Sequence, residues 1–505
     1  MKKSNLMSGV LVLSIGGVLA KIFSAIYRIG LTRVLGGEGI GLYQLVFPLY
    51  SLCVVLATAG LPMAISKVIA RNRGKEKSVI KKCFMFTSII SLTLTFILLI
   101  FSRPLATIQG NADITICYII LAPTIILVSS ASVLRGYFQG KENFTPSAVS
   151  NIAEQFVKLV VGLILSFALL RVSLIASIIG AMISIVVSEI ISVIIMLLYY
   201  RYHKPQTDTN LDANLSMKDI AKDVLPITAT NIIMPIASFI DSLLVVNLLS
   251  FSFTRPMSIF LYGLESGAVS SLVSLPTIFS FAIASVILPN ISLKGSVFSR
   301  SHKLSLAVKV ILIIAIPCVL CFLFIPNRLI DLLYADRLNG YGVEGLNIAY
   351  RLLAISGIGV IFLAINQVFS SSLQAVDERG VTVRNLIIAV VVKFIIECIF
   401  MPSVKINIYA LAFANTACYL TAMVLNLMEI REHFKIKINY YFSGKLIVSN
   451  LAMLLGLLAI LNLNKNSVTT LLAIMVAVLI YFASLYFLKI FNKRDLASIK
   501  YKVKN

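Results

Sequence analysis

The sequence predicts an all-α protein that crosses a membrane many times. Of its 505 residues, 59% are hydrophobic and only 13% are charged, whereas a soluble protein is about one-quarter charged. The apolar residues also form blocks long enough to cross a bilayer as helices, for example 84–101, 174–200 and 447–463. Together, the low charge and the long apolar blocks indicate a polytopic helical membrane protein.

The apolar blocks divide into about fourteen predicted transmembrane helices. They lie at 8–31, 42–66, 79–101, 114–134, 148–170, 174–200, 224–249, 260–290, 304–326, 347–375, 382–401, 407–430, 444–463 and 468–491. The first block is too long for the apolar region of a cleaved signal peptide, and Lys21 interrupts it. We therefore predict that it remains as the first membrane helix.

The formal net charge of +23 predicts orientation rather than a nucleic-acid partner. Lys and Arg concentrate in alternate loops and in the tail, chiefly at 71–82, 201–222, 431–445 and 489–504. Such a bias places these segments in the cytoplasm, so we predict a cell-membrane protein with both termini cytoplasmic. The same charges would contact anionic lipids. The scattered cysteines and histidines predict neither a metal nor a cofactor.

A polar stretch separates two sets of six predicted helices. Residues 203–219 are rich in Asn, Asp and Thr, which is typical of a linker. We predict an N-lobe at 1–203, a cytoplasmic linker at 204–218 and a C-lobe at 219–432. Helices thirteen and fourteen and a cytoplasmic tail would occupy 433–505.

The two lobes show an internal repeat. Residues 134–158 align with 369–393 without a gap, and Gln139 matches Gln374 while Lys158 matches Lys393. Repeats separated by six membrane helices have the same orientation in the bilayer, and transporters of this kind place the substrate path between them. The sequence thus predicts two six-helix lobes related by a parallel repeat, followed by two C-terminal helices.

Glycine and proline mark two irregular points in the first two predicted helices. The segment GGEGIG at 36–41 predicts a glycine turn outside the membrane, because no strand precedes it as a nucleotide-binding loop would require. Within the second helix, Gly60 and Pro62 predict a bend, since proline removes a backbone hydrogen bond.

The charges inside predicted helices supply the candidate site residues. Lys21 and Arg28 lie seven residues, or about two helical turns, apart, so they share a face with Ser24 between them. A buried cation is costly in a bilayer. These cations therefore line an aqueous cavity that binds an anion, such as the diphosphate of a lipid carrier, or they pair with acids on other helices, such as Asp241 or Glu265.

Other intramembrane charges fall into smaller groups. Lys158 and Lys393 each lie four residues from an acid, Glu154 and Glu397 respectively, and either forms an internal pair or lines the cavity. We include both lysines among the candidate substrate-binding residues. Glu189 reads as a polar packing contact near a helix end. Arg33 lies at the predicted outer boundary, and Arg135 falls just beyond the fourth predicted helix, in a cytoplasmic loop.

Residues 28–70, RIGLTRVLGGEGIGLYQLVFPLYSLCVVLATAGLPMAISKVIA, carry a family resemblance. The run resembles the start of the stage V sporulation protein B-like polysaccharide transporters, in the multidrug/oligosaccharidyl-lipid/polysaccharide exporter superfamily. The two segments that carry it are R-x(4)-R-x-L-G-G-E-G-I-G-L-Y and G-L-P-x-A-I-S-K. The resemblance implies a flippase for undecaprenyl-diphosphate-linked cell-wall precursors, lipid II or a related saccharide-lipid.

The more distant MurJ-like lipid II flippases have cavity arginines in their first two membrane helices. Lys21 falls where one first-helix arginine is expected, whereas the second-helix positions correspond to apolar residues around Val54 and Val55. In that family helices thirteen and fourteen form a groove for the lipid tail. The resemblance thus implies a lipid-linked oligosaccharide as substrate, with membrane lipids as the other partners of a monomer.

Two other functions remain open from the sequence. A cation-coupled multidrug antiporter of the same superfamily would use acids in the seventh and eighth helices, where Asp241 and Glu265 lie. In a flippase the same two acids would bind Na⁺ or H⁺ as the coupling ion. A membrane glycosyltransferase or polymerase would need a catalytic acid in a loop, and 327–345 is the longest outer candidate. We predict a transporter rather than an enzyme.

Overall fold

A computed structural model of the protein describes residues 3–71, 75–203, 224, 228–229, 231–280, 282–283, 297–338, 343–376, 378–434, 440–462 and 466–490. Within these ranges the chain is helical and has no β-strand. The predicted all-α class is therefore confirmed.

We number the described helices in chain order. In the first part they are α1 (Lys3–Thr58), α2 (Leu61–Arg71), α3 (Glu76–Ile108), α4 (Thr115–Leu121), α5 (Thr124–Gly140), α6 (Thr145–Leu169), α7 (Leu174–Tyr202), α8 (Ile233–Leu249), α9 (Arg255–Gly263) and α10 (Ser270–Val273). A π-helical turn, Leu264–Val269, joins α9 to α10. They continue as α11 (Val297–Phe324), α12 (Pro326–Tyr334), α13 (Val343–Ala375), α14 (Arg379–Phe400), α15 (Tyr409–His433), α16 (Tyr440–Leu461) and α17 (Ser467–Phe487).

Ten of the helical stretches in the described ranges are long and apolar enough to cross a membrane. The first of them, Val12–Ala70, covers two of the predicted spans, and Ile233–Leu249 is a shorter apolar helix. A bilayer-spanning helix needs about 20 apolar residues, and the long stretches meet this length. The protein is therefore a multi-pass membrane protein.

The predicted bend near Gly60 is confirmed. Helix α1 ends at Thr58, and α2 begins at Leu61. Between them Gly60 has φ +78°, a left-handed conformation that glycine adopts without a steric penalty. Pro62 then occupies the first turn of α2, where its missing N–H costs nothing.

The predicted glycine turn at 36–41 corresponds to a kink at Gly36, where two helical segments meet within α1; its location outside the membrane stays a prediction. Only Gly36 departs from helical geometry, with φ +69°, and the chain resumes its helix at once. The remaining glycines of the segment are buried: Gly37 and Gly41 pack against α9, and Gly39 packs against Leu174 of α7. A Cβ on Gly41 would collide with the carbonyl oxygen of Ile259, and a Cβ on Gly263 would collide with that of Gly37. These glycines form a close helix–helix contact, as small residues do in membranes.

The described chain divides into two compact units. The first contains residues 1–271, 339–341 and 397–408, and the second contains 272–338, 342–396 and 409–505. The predicted linker at 204–218 lies outside the described residues, so the lobe boundaries remain predictions. In the second unit α16 and α17 pack on each other and on α11 through a cluster that includes Leu457, Ala473 and Tyr481.

Candidate substrate and coupling sites

Helix α1 presents three different faces around Lys21. The first face is apolar and exposed, as expected of a surface that faces lipid: Ile15 is 60% exposed and Ile26 is 49% exposed. A second face packs on α6, where Phe23 and Phe156 make an edge-to-face contact at 5.6 Å between ring centroids. At 100° per residue, Lys21 lies well away from both faces.

Lys21, Ser24 and Arg28 share the remaining face of α1, and all three side chains are partly buried. This face turns away from the exposed isoleucines. A cation placed there is spared contact with lipid tails, which would cost about 2.5–3.5 kcal/mol on insertion scales. The geometry thus agrees with the shared face that the spacing of seven residues predicts.

Arg28 is held against the π-helical turn in this conformation. Its Nη2 atom donates to the backbone carbonyl of Ser266 at 2.5 Å, and the side-chain amide of Gln44 donates to the same oxygen. Such π-helical turns often mark functional positions in membrane helices. A carbonyl that accepts two side-chain donors ties α1 to this turn.

Acidic residues lie close to Arg28. The phenol of Tyr262 is within electrostatic range of Asp241, Glu397 and Arg28, and its hydroxyl donates to the carbonyl of Gln44 at 3.4 Å. Glu265 precedes the Ser266 carbonyl in the chain and is almost fully buried. The structure therefore brings Arg28 into the neighbourhood of the predicted coupling acid Asp241.

The two repeat-related lysines have different surroundings. The ammonium of Lys158 lies 5.7 Å from the centre of the Tyr27 ring and within electrostatic range of Glu154 and Glu189. That of Lys393 lies 5.8 Å from the Phe394 ring, and its side chain is buried. Lys158 belongs to the first unit and Lys393 to the second.

Arg135 is the main charged residue that the sequence misplaced. We expected it in a loop, but α5 continues to Gly140, so Arg135 lies inside a membrane helix. Its Nη2 atom donates to the Oε2 atom of Glu154 at 2.8 Å, and also to the hydroxyls of Ser192 at 2.8 Å and Ser150 at 3.2 Å. Glu154 therefore makes its ion pair with Arg135 rather than the predicted one with Lys158. The aromatic pair after Arg135, residues 137–138, could have extended the predicted helix.

Known proteins resemble the chain over most of its length. A family model described as "Polysaccharide biosynthesis protein" matches residues 6–294. Stage V sporulation protein B of Bacillus subtilis (strain 168) is 25% identical over 448 residues, which covers 84% of this chain and 83% of that protein. Lipid II flippase MurJ of the same organism is 23% identical over 490 residues, covering 91% and 88%.

Solved structures show the same fold. A lipid II flippase MurJ in an inward closed conformation superposes with a TM-score of 0.73 at 17% identity, covering 95% of this chain and 99% of that one. An inward-facing multidrug resistance MATE family transporter of the MOP superfamily gives a TM-score of 0.65 at 16% identity, covering 84% and 97%. The resemblance stated from residues 28–70 is thus confirmed.

Proposed function

Because the chain belongs to the polysaccharide biosynthesis protein family, we propose that it is a flippase that moves an undecaprenyl-diphosphate-linked cell-wall saccharide across the cell membrane. Lipid II or a related precursor is the proposed substrate. The protein acts as a monomer with both termini in the cytoplasm. The single observation that carries the proposal is the cationic face of α1, on which Lys21, Ser24 and Arg28 point away from the lipid-facing isoleucines.

A diphosphate suits this face of α1 because it is compact and carries more than one negative charge. Lys21 would act as a point charge, and Arg28 offers a planar fork that can donate two parallel hydrogen bonds to phosphate oxygens. The hydroxyl of Ser24 lies between them on the same face. The saccharide would cross in the space that alternating access opens and closes, while the isoprenoid tail stays in the lipid.

The partner of the Arg28 side chain would change during the transport cycle. In the described conformation Arg28 donates to the Ser266 carbonyl, so it must release that oxygen to bind a diphosphate. A ligand can shift a conformational equilibrium only through a difference in affinity between the states. The substrate would therefore favour the conformation in which the Arg28–Ser266 hydrogen bond is broken. Asp241 and Glu265 would bind Na⁺ or H⁺ as that bond forms again.

Replacing Lys21 with alanine is expected to abolish complementation of a strain that lacks its own lipid II flippase. A hydrogen bond to a charged group contributes about 1.5–3 kcal/mol, roughly a tenfold to hundredfold change in affinity. The measurement is colony formation together with the amount of protein in the membrane fraction.

Two variants make the Lys21 experiment specific. Arg33→Ala removes a cation from the same helix at an exposed position and should complement normally. Lys21→Arg keeps the charge and should restore most of the activity. If Lys21→Ala complements as well as Arg33→Ala, the proposed role of Lys21 is wrong.

A cation-coupled multidrug antiporter is the second candidate, and the acids near Tyr262 favour it. Asp241 and Glu397 both lie within electrostatic range of that phenol, and acidic residues suit organic cations. Membrane vesicles containing the protein should then export a cationic dye, and Asp241→Asn should stop the export. If vesicles containing the wild-type protein export no dye, the flippase remains the sole proposal.

A further inference from the structure

A second cluster of charges lies in the first unit, among α5, α6 and α7. Arg135 donates to Glu154, Ser150 and Ser192, and the hydroxyls of Ser150 and Ser192 are 2.8 Å apart. The other oxygen of Glu154 accepts a hydrogen bond from Gln155 at 2.8 Å. Both carboxylate oxygens of Glu154 are thus bound, and its charge is compensated by Arg135.

Glu189 is the member of the cluster whose hydrogen bonding is incomplete. It lies on α7, one turn before Ser192, and is only 7% exposed. Its Oε2 atom has no hydrogen-bond partner among the described residues. A buried carboxylate oxygen without a donor is unfavourable when charged, whereas a protonated carboxyl group carries no charge at the same position.

Charged or titratable groups near Glu189 come from three of the helices that pack against α7, namely α1, α5 and α6. Helix α5 contributes Arg135, and α6 contributes Glu154 and Lys158, all within electrostatic range of Glu189. Helix α1 contributes the phenol of Tyr50, also in electrostatic range. Helix α4 (Thr115–Leu121) also packs on α7 and has no charged side chain, its titratable groups being Cys117 and Tyr118.

The corresponding place in the second unit holds a cluster of amides beside one ion pair. In the aligned repeat Arg135 corresponds to Ser370 and Ser150 to Asn385. Asn426 lies on α15. Its side-chain amide donates to Ser370 at 3.0 Å and to Asn366 at 2.7 Å, and its side-chain oxygen accepts from Asn385 at 3.0 Å. Amides thus connect α13, α14 and α15. Arg384 on α14 donates to the Oδ1 atom of Asn385 at 3.3 Å and pairs with Glu429 on α15.

The two units differ in the groups at this place: the second has mainly amides and one ion pair, whereas the first has two acids and two cations among three helices. A buried ion pair is seldom more stabilising than a neutral replacement, so a cluster with two acids and two cations calls for another role. Intramembrane acids that face such networks commonly carry protons in transporters.

We propose that the α5–α6–α7 cluster is a proton-binding site in which Glu189 takes up and releases the proton. When Glu189 is ionised, its charge and that of Glu154 balance those of Arg135 and Lys158. When Glu189 is protonated, the cluster carries one excess positive charge next to Lys158. This proposal does not depend on which substrate the protein transports, because the only ligand of the site is a proton.

Infrared difference spectroscopy of the purified full-length protein tests the proposal. Stepping the pH across the neutral range in detergent should change the intensity of a protonated-carboxyl stretching band by at least one carboxyl group per protein. In Glu189→Gln this change should be smaller than in the wild type by about one carboxyl group. The full change should persist in Glu429→Gln, which removes a more accessible glutamate that pairs with Arg384 in the second unit.

A conservative variant keeps the experiment decisive if Glu189→Gln fails to fold. Glu189→Asp retains a carboxyl group, so the band should persist and shift in frequency. Far-UV circular dichroism confirms folding of each variant. A band that is unchanged in position in Glu189→Asp, or a pH-dependent change in folded Glu189→Gln as large as that of the wild type, overturns the proposal. So does a wild-type protein without any pH-dependent carboxyl band.

Discussion

Replacing Gly263 with alanine is expected to lower the thermal midpoint of the detergent-solubilised protein sharply and to reduce its yield from the membrane. The added Cβ would lie 2.6 Å from the backbone nitrogen of Gly41 and would also collide with the carbonyl oxygen of Gly37. Both obstacles are backbone atoms, which cannot rotate away, so α1 and α9 must separate. We expect the free energy of unfolding to fall by about 3 kcal/mol or more.

The matched control for Gly263 is Gly444→Ala in α16. A Cβ on Gly444 would meet no atom within 4 Å, and alanine is favoured over glycine inside a helix by about 0.5–1 kcal/mol. Its thermal midpoint, measured by far-UV circular dichroism, should stay the same or rise. Equal midpoints for the Gly263 and Gly444 variants would show that the α1–α9 contact is not close-packed. The chain has no tryptophan, so intrinsic tryptophan fluorescence cannot replace this measurement.

Replacing Arg135 with methionine is the second change expected to have a large effect. It leaves the carboxylate of Glu154 inside the helix bundle without the ion pair that it makes at 2.8 Å. Removing one partner of a buried pair typically costs about 3–5 kcal/mol. The thermal midpoint of Arg135→Met should therefore fall well below that of the wild type.

The double variant Arg135→Met/Glu154→Gln separates charge from packing. It removes both charges of the pair, so much of the lost stability should return, as the neutral amide cluster around Asn426 suggests. A double variant that is less stable than Arg135→Met would contradict the account, because the cost would then arise from shape rather than from an uncompensated charge.

The shared face of Lys21 and Arg28 could be predicted because it depends only on the period of one helix. The partner of Arg28 could not, since the carbonyl of Ser266 lies more than two hundred residues away in the chain. The same limit applies to the ion-pair partner of Glu154. Sequence spacing points to Lys158 one turn along the same helix, whereas the structure supplies Arg135 from the preceding helix.

The glycines at 36–41 show a different limit. A cluster of glycines has the same composition whether it forms a loop or a seam between two helices. A second pair of glycines, Gly263 and Gly267, has the same spacing of four residues as Gly37 and Gly41. This shared spacing favours a seam between two helices over a loop. Two such sets allow a close helix–helix approach, but only the fold shows that they face each other.

A flipping assay in proteoliposomes tests most directly whether the protein moves lipid-linked diphosphates. The purified full-length protein would be reconstituted with a fluorescent undecaprenyl-diphosphate saccharide, and with a matched neutral lipid that has no diphosphate. We predict rapid transfer of the diphosphate lipid between leaflets, at least about tenfold slower transfer with Lys21→Ala, and no transfer of the neutral lipid. The proposed function is wrong if the transfer rate equals that of protein-free liposomes. It is also wrong if the rate is the same for Lys21→Ala as for the wild type and the same for the neutral lipid as for the diphosphate lipid.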